Sequence, residues 1–273
     1  MKLATVQMLN YYRHVDGDYD SWADGLHDRM ARRLATVADP RDGEHVLDIG
    51  CGTGLVARHL SPGVGPYGRL VGVDLSDNML YLAKRRSTGR ASFLKMAAED
   101  LTLPDCSFDL VTMGQSLPYF ENPEGGLAEA FRVLKPGGRI AVSCQRRSLS
   151  TPAQTVFFSC LGRLAWRHPL RVPRPSEDRA VFGEPRVLIN LLREAGFREV
   201  ERTETVIGAS VRNAHAWTDL MTGAGPYPHA LLAGLGERAR LEFEAEVEWS
   251  LAELEHEGTR IHHAFSCAVA RRP

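Results

Sequence analysis

The stretch that most constrains this chain is Val46-Leu47-Asp48-Ile49-Gly50-Cys51-Gly52-Thr53-Gly54. Val46, Leu47 and Ile49 form an apolar strand that runs straight into a glycine-rich turn, and Leu55 to Leu60 continue with helical patterning. Gly50, Gly52 and Gly54 let the backbone turn tightly with no side chain in the way. Such a turn presents bare N–H groups and a helix N-terminus to a ligand. A second apolar strand, Leu70 to Val73, ends in Asp74. A carboxylate at that distance is placed to accept hydrogen bonds from two ribose hydroxyls. The dinucleotide fingerprint G-x-G-x-x-G requires a third glycine where this chain has Leu55, and the glycines fall as G-x-G-x-G instead. Asp48, just ahead of the loop, suits a cofactor whose near end carries an ammonium rather than a pyrophosphate. A glycine-rich turn that only packs a helix closely would have no use for the second acid.

Residues 44–147 alternate strand and helix as a doubly wound parallel sheet requires. The third strand is read at Ser92–Met96, the fourth at Phe108–Met113 and the fifth at Ile140–Cys144. Ser76 is read as the N-cap of the helix after Asp74, Gly137 and Gly138 as the stop of the helix before the fifth strand, Pro226-Tyr227-Pro228 as a turn, and a long helix is read from about His229 to His256, broken near Gly234–Gly236. The crevice at the carboxyl ends of such strands is where ligands bind, so Gln115 points at the junction of cofactor and substrate. The 273 residues, 44% hydrophobic and 25% charged, suffice for one large domain. A net charge of -1 supplies no global field for nucleic acid or an anionic membrane. Five cysteines without a regular framework point to reduced thiols in a cytosol, and no Cys/His cluster suggests a metal. No apolar run is long enough for a signal peptide or a membrane span.

Asp48-Ile49-Gly50-Cys51-Gly52-Thr53-Gly54 with Asp74 resembles the class I S-adenosylmethionine (SAM)-dependent methyltransferases, of the small-molecule, UbiE-like type. The phrases Arg132-Val133-Leu134-Lys135-Pro136-Gly137-Gly138 and Ala195-Gly196-Phe197 are typical of the same superfamily. The resemblance implies a Rossmann-like sheet of seven strands, the last one antiparallel, with helical lid and cap insertions. It divides a single methyltransferase domain, 1–273, into an N-terminal lid (1–39), a SAM-binding core (40–147), substrate caps (148–184 and 208–259) and the rest of the sheet (185–207 and 260–273). It implies SAM as cofactor and in-line transfer of its methyl group to an O, N or C atom of a small metabolite or natural-product scaffold.

The site residues follow from the same resemblance. Asp48 with Gly50, Cys51 and Gly52 should hold the methionine end, and Asp74 the ribose. Leu75, Met79, Ala98 and Glu99 should frame the adenine, although Met79 also reads as plain core. Many relatives carry Asp where this chain has Ala97, so adenine recognition should rest on the backbone of Ala98 and Glu99. Tyr19, of a Tyr-Asp pair, either closes over the methionine end or only packs the lid. Gln115 belongs to a Gly-Gln pair found in a subset of small-molecule enzymes. Tyr119, where many relatives have His, orients substrate at best. No residue stands out as a catalytic base, because His14, His168, His215 and His229 all lie in lid or cap segments. The [D/N]-P-P-[Y/F/W] motif of the amino-methyltransferases is absent. The expected setting is a cytoplasmic monomer or homodimer with a small-molecule acceptor. The alternatives are an RNA or protein methyltransferase, or a SAM-binding protein that catalyses another reaction such as a cyclisation. The basic, aromatic first cap (Arg163, Arg167, Arg171, Arg174) would suit a carboxylate or phosphate on the acceptor.

Overall fold

The computed structural model describes residues 3–13, 15, 19–87, 91–146, 151–168, 181–211, 213–222, 226–254 and 260–273. Seven strands form one sheet: β1 (His45–Ile49), β2 (Arg69–Asp74), β3 (Ala91–Lys95), β4 (Phe108–Gly114), β5 (Leu134–Gln145), β6 (Arg198–Ser210) and β7 (Arg260–Arg271). Their order is β3-β2-β1-β4-β5-β7-β6. The first five run parallel, and β7 slots antiparallel between β5 and β6. The strand order reverses between β1 and β4, so the crevice opens above their carboxyl ends. The glycine-rich turn sits at that reversal.

Helices α1 (Leu3–Arg13) and α2 (Trp22–Ala38) precede the sheet. Leu26, Met30 and Leu34 of α2 are buried on the sheet face that carries Val46, Leu110, Ala141 and Phe265. Helical spacing puts these side chains on one stripe, and burying each stabilises by roughly 1.5–3 kcal/mol. The helix ends at Asp39, whose φ of 49° is left-handed. Arg139 in the middle of β5 secures that end. Its guanidinium donates to the carbonyls of Ala38 (2.8 Å) and Asp39 (2.5 Å) and to both oxygens of Glu44 (2.7 and 2.9 Å). Helices α3 (Leu55–Val64) and α4 (Asp77–Arg86) complete the first crossovers. Ser76 caps α4 by accepting from the Met79 N–H at 3.4 Å.

Two local expectations are corrected. The helix before β5, α5 (Pro123–Val133), stops before Gly137 and Gly138. Leu134 is already extended (φ -68°, ψ 142°) and pairs with Phe108, so sheet pairing ends the helix and the two glycines lie inside β5. Pro226-Tyr227-Pro228, read as a turn, opens helix α9, because proline at a first helical position costs no hydrogen bond.

Helices α6 (Pro152–Arg167), α8 (Ala214–Thr222), α9 (Pro226–Ala233) and α10 (Glu237–Ala252) share a second core, with Phe157, Leu161, Trp217, Leu231, Phe243 and Val247 fully or almost fully buried. The long helix expected from His229 to His256 breaks before Gly236, as its glycines foretold, into α9 and α10. Helix α7 (Pro185–Glu194) packs back on the main sheet through Leu188, Leu191 and Leu192. Arg163 and Arg167 both pair with Glu246, which ties α6 to α10 and leaves those two arginines occupied in the cap. Arg171 and Arg174 lie outside the described residues. No described helix is long and apolar enough to cross a membrane.

Candidate cofactor and acceptor site

The turn after β1 takes three positive φ values, 70° at Gly50, 53° at Gly52 and 78° at Gly54. A Cβ on Gly50 would come within 2.4 Å of the Ser116 Cβ, so glycine is required on that side. A Cβ on Gly52 would meet nothing within 4 Å, so this backbone faces open space. The Gly52 N–H is held by Asp74 Oδ2 at 2.9 Å, and Asp74 Oδ1 accepts from the Ser76 N–H at 2.8 Å. Asp74 thus braces the turn against α4, and each carboxylate oxygen keeps a lone pair for a ligand. Burial raises its pKa despite the Ser76, Gly52 and Leu75 N–H groups.

Asp48 lies fully buried beneath the turn. Thr112 donates to Oδ1 at 2.7 Å, while Oδ2 has no hydrogen-bond partner among the described residues. Burial pushes its pKa up to about 7, only partly offset by the Thr112 hydroxyl. An orphaned buried carboxylate oxygen is costly unless a cation or donor meets it. That oxygen and the open cradle at Gly52 fit the ammonium and backbone of a bound amino-acid moiety.

The remaining predicted residues follow the carboxyl ends of β1, β2, β3 and β4. Leu75 follows Asp74, and Met79 is buried at the start of α4. Ala98 is buried, and Glu99 Oε1 accepts from the Asn122 N–H at 3.0 Å. Cys51 is buried, and its thiol pKa is pushed far up by burial. Gln115 sits beyond β4 with φ 57°, uncommon for a residue with a side chain. Its Nε2 donates to Ser143 Oγ at 3.1 Å. Tyr119 lies in the short helical turn after β4, edge to face with Tyr12 at 6.4 Å between ring centroids.

The lid is latched onto the glycine turn. Asp20 Oδ1 accepts from the Thr53 hydroxyl at 2.6 Å, and Oδ2 accepts from Arg58 at 2.9 Å and Arg86 at 2.8 Å. Asn78 of α4 donates to the carbonyls of Tyr12 (2.9 Å) and Val15 (2.7 Å). Tyr12 and Tyr19 lie edge to face at 6.3 Å, and Tyr11 meets the His229 ring at 5.3 Å. Burial raises the pKa values of Tyr12 and Tyr19, and that of Tyr11 to about 12. The lid tyrosines are therefore neutral hydrogen-bond groups, unsuited to act as bases at neutral pH.

Of the histidines weighed from sequence, His215 pairs with Glu248 at 2.8 Å, His168 ends α6, and His14 lies outside the described residues. Two others, His27 and His263, come together beside the crevice at the carboxyl edge of the sheet, with Trp22 stacked on His27 and edge-on to His263. Sequence reading missed both. Their signal would have been the start of the last strand, once β7 is placed next to β5. A surface recess lined by Arg193, Arg198, Glu199, Val200 and Glu201 lies at the opposite sheet edge and lacks any such cradle. Among the described residues no group of three His, Cys, Asp or Glu could hold a metal ion.

Residues 47–142 match the family described as a methyltransferase domain. A demethylmenaquinone methyltransferase of Symbiobacterium thermophilum is 32% identical over 203 residues, covering 67% of this chain and 80% of that protein. A nocamycin O-methyltransferase of Saccharothrix syringae is 30% identical over 226 residues, covering 76% and 79%. The crystal structure of the [4+2]-cyclase SpnF superposes with a TM-score of 0.52 at 22% identity, covering 90% of this chain and 80% of that one, a likeness of fold alone. The cradle, the two acids and these relatives agree: the chain belongs to the class I SAM-dependent methyltransferases of the small-molecule type.

Proposed function

We propose that the crevice above β1, β2 and β4 holds SAM between Asp48 and Asp74 while the lid and caps enclose a small-molecule acceptor. The observation that carries this is the orphaned, fully buried Asp48 Oδ2 beside the open backbone of Gly52. Asp48 would meet the ammonium, with the Gly50–Gly52 backbone along the methionine moiety. Asp74 would accept from the ribose hydroxyls. Leu75, Met79, Ala98 and Glu99 would border the adenine. Bound SAM supplies an electrophilic methyl group on a sulfonium.

The protein's own contribution is binding, orientation and exclusion of water. Tyr19 and Tyr12, fixed by the Asp20 and Asn78 latches, would close the lid over the reacting centre. Gln115, held by Ser143, would line the boundary between cofactor and acceptor, with Tyr119 across from it. Placing an O, N or C nucleophile within about 3–3.5 Å and in line accounts for most of the barrier such enzymes remove. Calorimetric titration of S-adenosylhomocysteine (SAH) into the wild type and Asp74→Asn tests the reading. Micromolar binding, weakened at least tenfold in the variant, supports it, because the substitution removes a charged acceptor worth roughly 1.5–3 kcal/mol. Equal affinity in both proteins refutes the ribose assignment.

A further inference from the structure

Beyond the cofactor's place, the sheet edge carries a polar ladder that the SAM-binding residues do not use. Gln115 donates to Ser143 Oγ on β5, at 3.1 Å. Two residues on and on the same face, Gln145 meets His263 Nδ1 of β7, also at 3.1 Å. With Gln145 Nε2 as donor, Nδ1 accepts and the ring proton resides on Nε2. That Nε2 is buried and has no hydrogen-bond partner among the described residues, and His263 as a whole is only 8% exposed. An unsatisfied buried donor costs roughly 1–3 kcal/mol, so its retention points to a group that arrives from outside.

Its surroundings define what that group is. Trp22 stands edge-on to His263 with centroids 5.6 Å apart, and His27 stacks on Trp22 at 5.1 Å. Tyr19 covers His27 at 4.4 Å. Trp22 Nε1 is already given to the Leu220 carbonyl, and His27 Nδ1 lies 2.8 Å from the Tyr19 carbonyl. His27 is thus held between Tyr19 and Trp22, and the indole of Trp22 is the apolar wall next to His263. The neighbouring cation, Arg146, is engaged by Glu184 (3.5 Å) and Glu204 (2.8 Å). Burial keeps His263 neutral, with its pKa pushed down to about 4, and lowers that of His27 as well. An anionic group here would be desolvated beside cations already committed elsewhere, Arg146 as above and Arg29 to the Gly208 carbonyl at 3.0 Å.

We propose that His263, braced by Gln145, is the far anchor of the acceptor pocket, donating from Nε2 to a neutral oxygen of a flat aromatic or polyene scaffold packed along Trp22. The inference rests on the methyltransferase reading and names the acceptor class it serves. His263 stands four strand positions beyond Ser143, about 13 Å at about 3.3 Å per residue. The anchored oxygen is therefore remote from the methylated atom, and the scaffold is at least two rings long. His263 is a binding and positioning residue, with no part in the bond that forms.

The test uses the full chain saturated with SAH, and 4-phenylphenol, biphenyl and 4-phenylbenzoate as probes. The wild type binds 4-phenylphenol at least tenfold more tightly than biphenyl or 4-phenylbenzoate. His263→Phe binds 4-phenylphenol and biphenyl equally, and His263→Gln, which keeps a donor, restores a preference of several-fold. SAH affinity in each variant is measured first. Loss of SAH binding by the wild type overturns the cofactor reading instead. Unchanged SAH affinity in the variants shows that they fold. A 4-phenylphenol preference that survives in His263→Phe, no binding of 4-phenylphenol by the wild type, or tighter binding of 4-phenylbenzoate overturns the anchor. A histidine with a merely structural role would not alter the ratio between probes.

Discussion

Substituting Asp48 by Asn should make the protein without cofactor more stable at pH 8 and unable to hold SAM. The carboxyl titrates near 7 when folded and near 3.8 otherwise. Between those values it is ionised in the unfolded chain and protonated in the folded one. A raised acid pKa therefore costs stability as pH rises from about 4 to about 7, after which the loss is complete. A difference of about 3 units corresponds to roughly 4 kcal/mol. Asn removes that dependence, retaining the Thr112 hydrogen bond and giving up the charge. Thermal melts from pH 5 to pH 8 cover about 2.6 kcal/mol of that loss, so wild type should lose ground to Asp48→Asn by about 5–11 °C, at about 2–4 °C per kcal/mol for a chain of this size. Cofactor reverses the effect. An ammonium against Oδ2 returns the pKa toward its ordinary value, so SAM binding at pH 6 releases close to one proton. Calorimetry in buffers of different ionisation heat counts that proton. A gap between the two proteins that does not change with pH, or binding without proton release, would refute the reasoning.

Two further outcomes follow from the same geometry. Asp20→Ala removes three hydrogen bonds that latch the lid to the glycine turn, α3 and α4. Because Arg58 and Arg86 are partly exposed (37% and 20%), the loss is expected at about 1–2 kcal/mol. It should show as faster amide exchange in α1 and as roughly tenfold weaker SAH binding. Gly50→Ala places a methyl 2.4 Å from the Ser116 Cβ at a φ of 70°. Strain of about 1–3 kcal/mol and a comparable packing cost should appear in urea denaturation, and a variant as stable as wild type would contradict the turn geometry.

The parts legible in the sequence were those set by local chemistry. Gly50, Gly52 and Gly54 needed positive φ, Ser76 capped a helix, and β4 ended where its apolar run ended. Asp48 and Asp74 could be placed because a strand and a turn fix the spacing between them. The antiparallel last strand came from the family pattern, and the sheet has it. What failed was decided by distant pairing. Leu134 left its helix because Phe108 lay ready to pair with it, and no local signal reports that. The latch at Asp20 depends on Thr53, Arg58 and Arg86, three residues that only the folded crossovers bring together. Ten histidines looked alike in sequence. His263 is set apart by β7 inserting beside β5, which carries it to Gln145 and Trp22.

The most direct test of the central claim is a crystal structure of the protein with SAH. The account predicts the SAH amino group within hydrogen-bond distance of Asp48 Oδ2, the ribose hydroxyls on Asp74 and the homocysteine chain along Gly52. SAH bound elsewhere, or bound in the crevice with its amino group turned away from Asp48, would contradict it.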